Sequence, residues 1–319
     1  MGRQSYPKNV RDFRRRFSIP HGCLEYLIQS RWPDGFVCAK CSYTSAWLNS
    51  KRYVFQYRRC RRQTSPIGGT LMHRSHVPVH EWFWAVYIVA THTPEISAVQ
   101  LQPQLGISID MTARHMLHRS RKGMVTENRS HLSGLVEADE TIIGGPATRK
   151  RGRGVMAAMH KTLMIGAVEV RSHEDNKAGT RCERASRVRP LTLDNAGEAS
   201  IRNFLMHNIE AGSTIRTDDW RGYSDATLVG YTHRVRVVRT QERAHRAAPH
   251  IYRVFSNLKT WLNGMHHGVE PKYLQSYSDE FIFRFNRRNT PMAAFKTLIG
   301  IATQKTPLTL PDLLNGSQL

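Results

Sequence analysis

The sequence predicts an α/β fold for the larger, C-terminal part of the chain, preceded by two small basic modules. Apolar segments of strand length alternate with amphipathic helical segments over residues 129–305, as in an α/β domain. Residues 1–70 are instead rich in arginine, aromatic residues and cysteine, and residues 71–128 have helical periodicity. Residues 306–319 are expected to form a C-terminal tail. A chain of 319 residues is long enough for two or three domains.

Within residues 129–305, three strands are predicted before the first helix. They lie in LSGLVEADETIIGG, TLMIGAVEV and RVRPLTLD, and the helix lies in GEASIRNFLMHNIEAG. A fourth strand in STIRTDD, a short helix in GYSDATLVG, a fifth strand in THRVRVV and the amphipathic helix HIYRVFSNLKTWLNG follow. The order β-β-β-α-β-α-β-α is typical of the ribonuclease-H-like fold, so we predict such a core with a mixed sheet of five strands.

Two acidic pairs lie at the ends of predicted strands. Asp139 and Glu140 end the first strand, and Asp218 and Asp219 end the fourth. Neighbouring residues on a strand point to opposite faces, so only one member of each pair can contribute to a given site. If the first and fourth strands pair, Asp139 and Asp218 become neighbours, and two converging carboxylates are suited to Mg²⁺ or Mn²⁺. The alternative is that each is an ordinary strand-end or turn carboxylate.

The helix HIYRVFSNLKTWLNG carries Asn257 at the border of its apolar stripe, to which Val254 and Trp261 contribute. A polar side chain at that border needs a partner. Its amide oxygen could bind a hard cation, or the amide could simply satisfy a contact between helices. Lys259 lies about 200° around the helix from Asn257. We therefore predict that Lys259 contacts a DNA phosphate, with a solvated surface lysine as the alternative.

The chain is strongly basic, with a net charge of +22 and a pI near 10.4. This charge predicts a polyanionic partner, which we expect to be double-stranded DNA; a membrane surface is the competing polyanion, but no apolar stretch is long enough for a spanning helix. The N-terminus lacks the apolar run of a signal peptide, so a cytoplasmic, nucleoid-associated location is expected. Arginine runs are often only solvated faces, but here we predict DNA contacts by Arg14, Arg15, Arg59, Arg61, Arg149, Arg151, Arg287 and Arg288.

Residues 94–124 have the pattern of a helix-turn-helix with its turn at Gly106. The second helix has one apolar stripe and is expected to present Arg114 and Arg119 outward, as a helix that reads DNA would. An ordinary helical hairpin within a bundle is the alternative interpretation.

Several motifs, in the expected order, resemble one protein family. LVEADETIIGG, TDDWRGY, HIYRVFSNLKTWLNGMHHG and DEFIFRFNRR are similar to the catalytic domain of bacterial insertion-sequence transposases of the DDE class. They are closest to the branch with Asn in place of the third acidic residue. RWPDGFVCAKC and RRQTSPIGGTLMH resemble the N-terminal zinc ribbon of that branch, and ISAVQLQPQLGIS with TARHMLH resembles its helix-turn-helix. The resemblance covers nearly the whole chain.

The resemblance implies a transposase that cleaves DNA at the ends of an insertion sequence and transfers the strands by metal-dependent phosphoryl transfer. It selects Asp139 and Asp218, rather than their acidic neighbours, to hold Mg²⁺ or Mn²⁺, with Asn257 in the third position. A homo-oligomer on DNA is expected because two ends must be held together. The alternatives are a catalytically inactive, decayed or domesticated copy that only binds DNA, and a structure-selective nuclease on the same fold.

The ribbon departs from the expected zinc-binding pattern. The odd number of cysteines favours a metal site or free thiols over disulfides, and three cysteines have the spacing of zinc ligands: Cys38, Cys41 and Cys60. Tyr57 stands where the second knuckle should have its first cysteine. His21 or Cys23 could supply a fourth ligand, although neither has knuckle spacing. We expect labile or substoichiometric zinc, or a ribbon without zinc.

Overall fold

The structure of the chain is a computed structural model. It describes residues 5–38, 40–49, 51–92, 96–125, 129–144, 161–175, 180–218, 222–224, 228–236, 247–266, 269–309 and 312. Contacts within the chain divide these residues into two compact units. One consists of residues up to 126 together with residues 287–317, and the other consists of residues 127–286. No helix in the described ranges combines the length and the apolar character needed to cross a membrane.

The first unit combines helices with a small antiparallel sheet. Its elements up to residue 126 are α1 (Val10–Phe17), α2 (Pro20–Arg31), β1 (Ala46–Asn49), β2 (Val54–Tyr57), β3 (Gln63–Thr64), α3 (Val79–Thr91), α4 (Ala98–Gln104) and α5 (Asp110–Lys122). Strand β2 lies between β1 and β3 and pairs antiparallel with both. Gly106, at φ +60°, lies in the turn between α4 and α5, where glycine avoids the strain of that conformation. The small sheet therefore lies in the predicted ribbon, and α4 and α5 lie in the predicted helix-turn-helix.

The second unit is built on one mixed sheet of five strands. Its elements are β4 (Leu135–Gly144), β5 (Lys161–Asp175), β6 (Thr180–Leu193), α6 (Glu198–Asn208), β7 (Thr214–Thr217), β8 (Thr232–Val235), α7 (Pro249–His266) and α8 (Pro271–Phe285). The strand order is β6-β5-β4-β7-β8, in which β4, β5 and β6 pair antiparallel and β4, β7 and β8 pair parallel. The ribonuclease-H-like prediction is confirmed, with β4 beside β7. Where a short helix was predicted, residues 222, 223 and 228–230 form turns and bends, and residues 225–227 lie outside the described part.

The last helix, α9 (Pro291–Gln304), belongs to the first unit rather than to the sheet. The boundary of 129–305 expected from the sequence therefore differs from that of the compact unit, which ends at residue 286. The physical reason is the apolar face of α9. Phe295 is fully buried, and its ring lies 5.6 Å from that of Phe13 on α1 and 5.8 Å from that of Phe83 on α3.

Helices cover both faces of the five-stranded sheet, and alternate residues of β4 point to each face. The even-numbered residues Val136 and Ala138 belong to the apolar cluster that includes α6. Ile143, an odd-numbered residue, belongs to the cluster formed by α7 and α8. The odd-numbered residues Glu137 and Asp139 therefore face α7.

Candidate active site

The parallel pairing of β4 with β7 brings the two predicted aspartates together. Glu137 lies opposite Arg216 in this pairing. Asp139 and Asp218 each follow two residues later, so they lie at the same level where the two strands diverge. Residues at one level of paired strands share a face of the sheet. Asp139 and Asp218 interact electrostatically, in agreement with this placement.

The electrostatics of Asp139 show that its negative charge is not fully compensated by the chain. Burial, and then the Asp218 carboxylate, raise the pKa of Asp139 to about 7. The backbone N–H of Glu140, which donates to Asp139 Oδ1 at 2.8 Å, and the Lys259 ammonium act in the opposite direction. A buried carboxylate beside a second carboxylate is stabilised by protonation or by a cation. This position therefore has the charge that a bound cation requires.

A third carboxylate, that of Glu140, interacts electrostatically with both aspartates. Its side chain leaves β4 on the opposite face from Asp139 and accepts a short hydrogen bond from the Tyr223 hydroxyl. Burial is the main cause that raises the pKa of Glu140 to about 7; the bond from Tyr223 opposes the shift, and the charges of Asp139 and Asp218 add to it. Glu140 therefore lies within electrostatic range of both aspartates while Tyr223 fixes its position.

Helix α7 determines which further side chain reaches Asp139. The Phe255 ring lies over Gly166, the β5 partner of Asp139, where an added Cβ would be 2.7 Å from the ring. One turn later, Lys259 is half-buried and its ammonium interacts electrostatically with the Asp139 carboxylate. Asn257 is exposed and lies about 200° around the helix from Lys259. The structure thus brings Lys259 to Asp139.

This geometry bears on two predictions about α7. Asn257 does border the apolar stripe, but the stripe has two borders, and Lys259 on the other border is the residue that interacts electrostatically with Asp139. The contact predicted between Lys259 and a DNA phosphate stays a prediction. Which border faces Asp139 is determined by how Phe255 packs on the sheet, and helical periodicity alone does not contain that information.

Two residues before Asp139, the fully buried carboxylate of Glu137 joins β4 to both β7 and α7. Its Oε1 accepts a hydrogen bond from Arg216 Nη1 at 3.0 Å and lies 2.9 Å from His250 Nδ1. Its Oε2 accepts from the backbone N–H groups of His250 at 2.7 Å and Ile251 at 3.1 Å. These N–H groups belong to the first turn of α7 and have no partner within the helix. Glu137 therefore caps α7 and anchors it to the strands that carry the aspartates.

Glu137 is not among the site residues predicted from the sequence, although the sequence contains a signal for it. Glu137 interrupts the apolar strand LVEAD, and a carboxylate in a buried strand must be paired or hydrogen-bonded. Arg216, two residues before the second predicted aspartate, is that partner, and its guanidinium also holds Glu183 at 2.9 and 3.0 Å.

Among the described residues, one carboxylate-containing group has three possible metal-ligand atoms within 4.8 Å of one another, and it consists of Glu137, Glu183 and His250. Arg216 already supplies positive charge to both of these carboxylates, and both oxygens of Glu137 have donors. Asp139 and Asp218 form no such group with a third side chain of the described residues, but at Asp139 the charge of Asp218 is opposed by that of one half-buried lysine, Lys259. Carboxylate oxygens are the ligands that Mg²⁺ and Mn²⁺ prefer.

In the ribbon, the three predicted cysteines converge. One ligand atom from each lies within 4.8 Å of the other two, and the Sγ atoms of Cys38 and Cys60 are 3.7 Å apart. Burial opposes ionisation of Cys38, but hydrogen bonds from the backbone N–H groups of Cys41 and Lys40 prevail and lower its pKa to about 7. Thiolates at this spacing are the ligand set of zinc. The cluster therefore supports zinc binding by the ribbon.

Neither candidate for a fourth zinc ligand reaches this cluster. Cys23 is buried in α2, where its Sγ donates to the Phe17 carbonyl oxygen at 3.7 Å. The His21 ring contacts the Tyr53 hydroxyl through Nδ1 and lies 3.0 Å from Glu25 through Nε2. Both residues thus have other partners.

The predicted DNA contacts on the first unit are only partly on its surface. Four of these arginines are exposed: Arg14, Arg15, Arg59 and Arg61. On α5, Arg114 is exposed and paired with Asp110 at 2.7 Å. Arg119 is not outward: it is half-buried, and its Nη1 donates to the backbone oxygens of Leu71 at 3.4 Å and His73 at 3.2 Å. Arg119 therefore has a structural role, because it satisfies carbonyl groups of the segment that precedes α3.

The remaining predicted contacts lie at the start of the C-terminal segment of the first unit or outside the described residues. Arg287 is partly buried and Arg288 is exposed, both in the turn that follows α8. Arg149 and Arg151 lie in residues 145–160, which are outside the described part of the chain. Only Arg288 of this group is therefore an exposed cation in the structure as described.

Comparison with known protein families agrees with the division into units. The model of the ISXO2-like transposase domain matches residues 131–286, nearly all of the second compact unit, and the model of the transposase zinc-ribbon domain matches residues 21–63. No curated protein matches the chain. The two models match separate segments in the order ribbon, then catalytic domain, and the matched segments contain the cysteine cluster and the aspartate pair. The chain therefore belongs to the insertion-sequence transposases with an N-terminal zinc ribbon.

Proposed function

We propose that the second unit cleaves DNA at the ends of an insertion sequence and transfers the strands to target DNA with the help of Mg²⁺ or Mn²⁺. The observation that carries this proposal is the alignment of Asp139 with Asp218 at one level of adjacent strands, combined with the unneutralised charge at Asp139. DNA is the proposed substrate because the chain belongs to a family of transposases.

Asp139 and Asp218 are the residues that would hold the cation. When bound, the cation would act as a Lewis acid on the phosphate and stabilise the attacking and leaving oxygens. Lys259 limits the charge repulsion between the aspartates and, being half-buried beside Asp139, is placed to contact a phosphate oxygen that approaches the same point. The Glu137 anchor fixes α7, and hence Lys259, relative to the aspartates.

We propose that Asp139 and Asp218 hold the cation without a third side chain from β4. None of the described residues of α7 is acidic, so the helix offers the site an amine or an amide rather than a carboxylate. Glu140 leaves β4 on the face opposite Asp139, where Tyr223 donates to it, and it forms no group of three ligand atoms with the two aspartates.

The first unit is proposed to bind double-stranded DNA, at the terminal repeats of the element and at the target. Its exposed arginines on α1 and in the turn after β2 would contact phosphates and give an affinity that decreases steeply with salt. A homo-oligomer is part of this proposal, because cleavage of both ends before joining requires that two ends be held together.

The decisive assay uses the full-length protein, DNA carrying the element's ends, and Mg²⁺ or Mn²⁺. We expect nicking and strand transfer that are lost in Asp139→Asn and Asp218→Asn but retained in Asp194→Asn, which changes an exposed aspartate after β6. Glu140→Gln and Asn257→Ala should each retain most of the cleavage, because Glu140 leaves β4 on the other face and Asn257 is exposed.

Each other outcome points to a different conclusion. Specific binding of the ends without cleavage in either metal would indicate an inactive, DNA-binding copy. Cleavage of branched DNA that lacks the ends would indicate a structure-selective nuclease. Loss of cleavage in Asn257→Ala, or in Glu140→Gln, would assign a third ligand to that residue.

A further inference from the structure

The three-cysteine cluster of the ribbon lies in a knuckle whose backbone is intact although one ligand is missing. Tyr57 occupies the position where the knuckle would supply its first cysteine. The backbone N–H of Arg61 donates to the Tyr57 carbonyl oxygen at 3.0 Å, and the N–H of Tyr57 donates to the Arg62 carbonyl oxygen at 3.0 Å. This tight turn brings Cys60 to within 3.7 Å of Cys38. The turn that presents Cys60 is therefore formed although Tyr57 stands in place of the fourth cysteine.

The side chain of Tyr57 has another role and does not complete the site. Its ring is 1% exposed and stacks on that of Phe36 at 4.9 Å, and its hydroxyl lies 3.3 Å from Thr64 Oγ1. Phe36 in turn stacks on Phe55 at 4.3 Å. This aromatic cluster supplies apolar packing within the ribbon. A module of this size without such packing would depend on a bound metal for its stability.

Among the described residues, no further cysteine, histidine or acidic side chain joins the three thiols within ligand distance. Zinc takes four ligands in a tetrahedral arrangement. Closed sites have four protein ligands, whereas sites with three protein ligands keep one position for a molecule from solvent. The three thiols of the ribbon are therefore a donor set that leaves one coordination position for a molecule from solvent.

We propose that the ribbon binds zinc through Cys38, Cys41 and Cys60 and leaves the fourth coordination position to an exchangeable ligand from solvent, either water or a small thiol. Four exposed arginines flank Cys60 in the knuckle and give it a positive charge of the sign that offsets the net negative charge of three thiolates on one zinc ion: Arg58, Arg59, Arg61 and Arg62. The aromatic cluster of Tyr57, Phe36 and Phe55 maintains the ribbon when the metal exchanges.

The test is cobalt substitution of the full-length protein, because the visible spectrum of Co²⁺ reports both its geometry and its ligands. The matched variants are Tyr57→Cys, which restores a fourth thiol, and Tyr57→Ser, which removes the same aromatic ring and differs from the former by one atom. Cys60→Ser is the control in which the ribbon site is removed.

We expect the wild type to bind one Co²⁺ with tetrahedral bands and a sulfur-to-cobalt charge-transfer intensity of about three-quarters of that of Tyr57→Cys, in proportion to the thiolate count. A small added thiol or azide should shift the bands of the wild type and leave those of Tyr57→Cys unchanged. Tyr57→Cys should bind zinc at least about tenfold more tightly than the wild type, and Tyr57→Ser should show no such gain.

Three results would overturn the proposal. Four-sulfur intensity in the wild type, or bands that do not respond to added ligands, would mean that the chain supplies the fourth ligand. Binding by Tyr57→Cys alone would mean that three thiols are insufficient. Equal binding by Cys60→Ser and the wild type would mean that the metal is held elsewhere. The test does not use DNA cleavage, so its result is independent of the function proposed for the second unit.

Discussion

Replacing Asp139 by asparagine should make the metal-free protein more stable at alkaline pH, although it should abolish cleavage. The carboxylate of Asp139 is buried beside that of Asp218, and its pKa is raised to about 7 from its usual 3.8. A folded state that holds this carboxylate without a cation therefore carries an electrostatic cost. Asparagine has nearly the same shape as aspartic acid and removes the charge, so the cost should disappear.

The sign and size of the effect follow from proton linkage. Between about pH 4 and about pH 7 the folded protein retains a proton at Asp139 that the unfolded chain has released, so this group makes stability fall as the pH rises. Above about pH 7 the full cost is present, with an upper limit of about 4 kcal/mol for a shift of this size. Because the ionisation of Asp139 is coupled to that of Glu140, removal of the charge at Asp139 also changes the cost at Glu140, and we expect a measured gain of about 2 kcal/mol.

The assay is urea unfolding of the wild type, Asp139→Asn and Asp194→Asn in a chelating buffer at about pH 5 and about pH 8. The gain from Asp139→Asn should be large at the higher pH and small at the lower one, and the exposed control at Asp194 should change little at either. Added Mg²⁺ should then stabilise the wild type and not Asp139→Asn. Equal gains at both pH values, or equal stabilisation of both proteins by Mg²⁺, would refute this account of the site.

Three further predictions concern the surroundings of the aspartates. Arg216→Met should cost about 3–5 kcal/mol of stability in urea unfolding, because it leaves the buried carboxylate of Glu137 without its cation; an effect below about 1 kcal/mol would contradict the anchor. Gly166→Ala should cost about 1–3 kcal/mol because the new Cβ would lie 2.7 Å from the Phe255 ring, and Phe255→Leu should recover part of it. Lys259→Met should move the acidic limb of the pH–rate profile of cleavage to higher pH, since it removes the ammonium that favours the ionised form of the neighbouring aspartate; an unchanged limb would place Lys259 outside the site.

The five-stranded sheet was predictable because each of its strands is identified by residues that lie close together in the sequence. Each strand of the second unit is an apolar segment bounded by turn residues, and the order of strands and helices left few arrangements for the chain. The first and fourth strands of such a pattern lie side by side, which is how β4 and β7 are paired. Asp139 and Asp218 could therefore be placed together before any coordinates were considered.

The contribution of α7 to the site was not predictable by the same route. Helical periodicity identifies an apolar stripe and its two borders, but it does not say which border faces the strand ends. Asn257 and Lys259 lie on different borders, so the pattern supported either, and the choice of Asn257 rested on resemblance. Which border faces the strand ends depends on how Phe255 packs on Gly166, and these two residues are far apart in the chain.

The outward direction of α5 was uncertain for a related reason. Arg119 was expected to face DNA because it lies outside the apolar stripe. The structure instead uses its guanidinium to satisfy backbone carbonyl oxygens of residues distant in sequence. A long side chain can bury its stem and still place its charged end on a polar partner, so charge alone does not identify a surface residue.

Glu137 and Asp139 show how one strand can carry two carboxylates with different surroundings only two residues apart. Both face α7. Glu137 has donors from Arg216 and from the first turn of the helix, whereas Asp139 interacts mainly with other carboxylates and with one half-buried lysine. The first arrangement neutralises charge within the chain and so fixes β4, β7 and α7 together. The second leaves charge that the proposed cation would neutralise. The paired charges at Glu137 therefore hold β4 and β7 in the register that places Asp139 and Asp218 at one level.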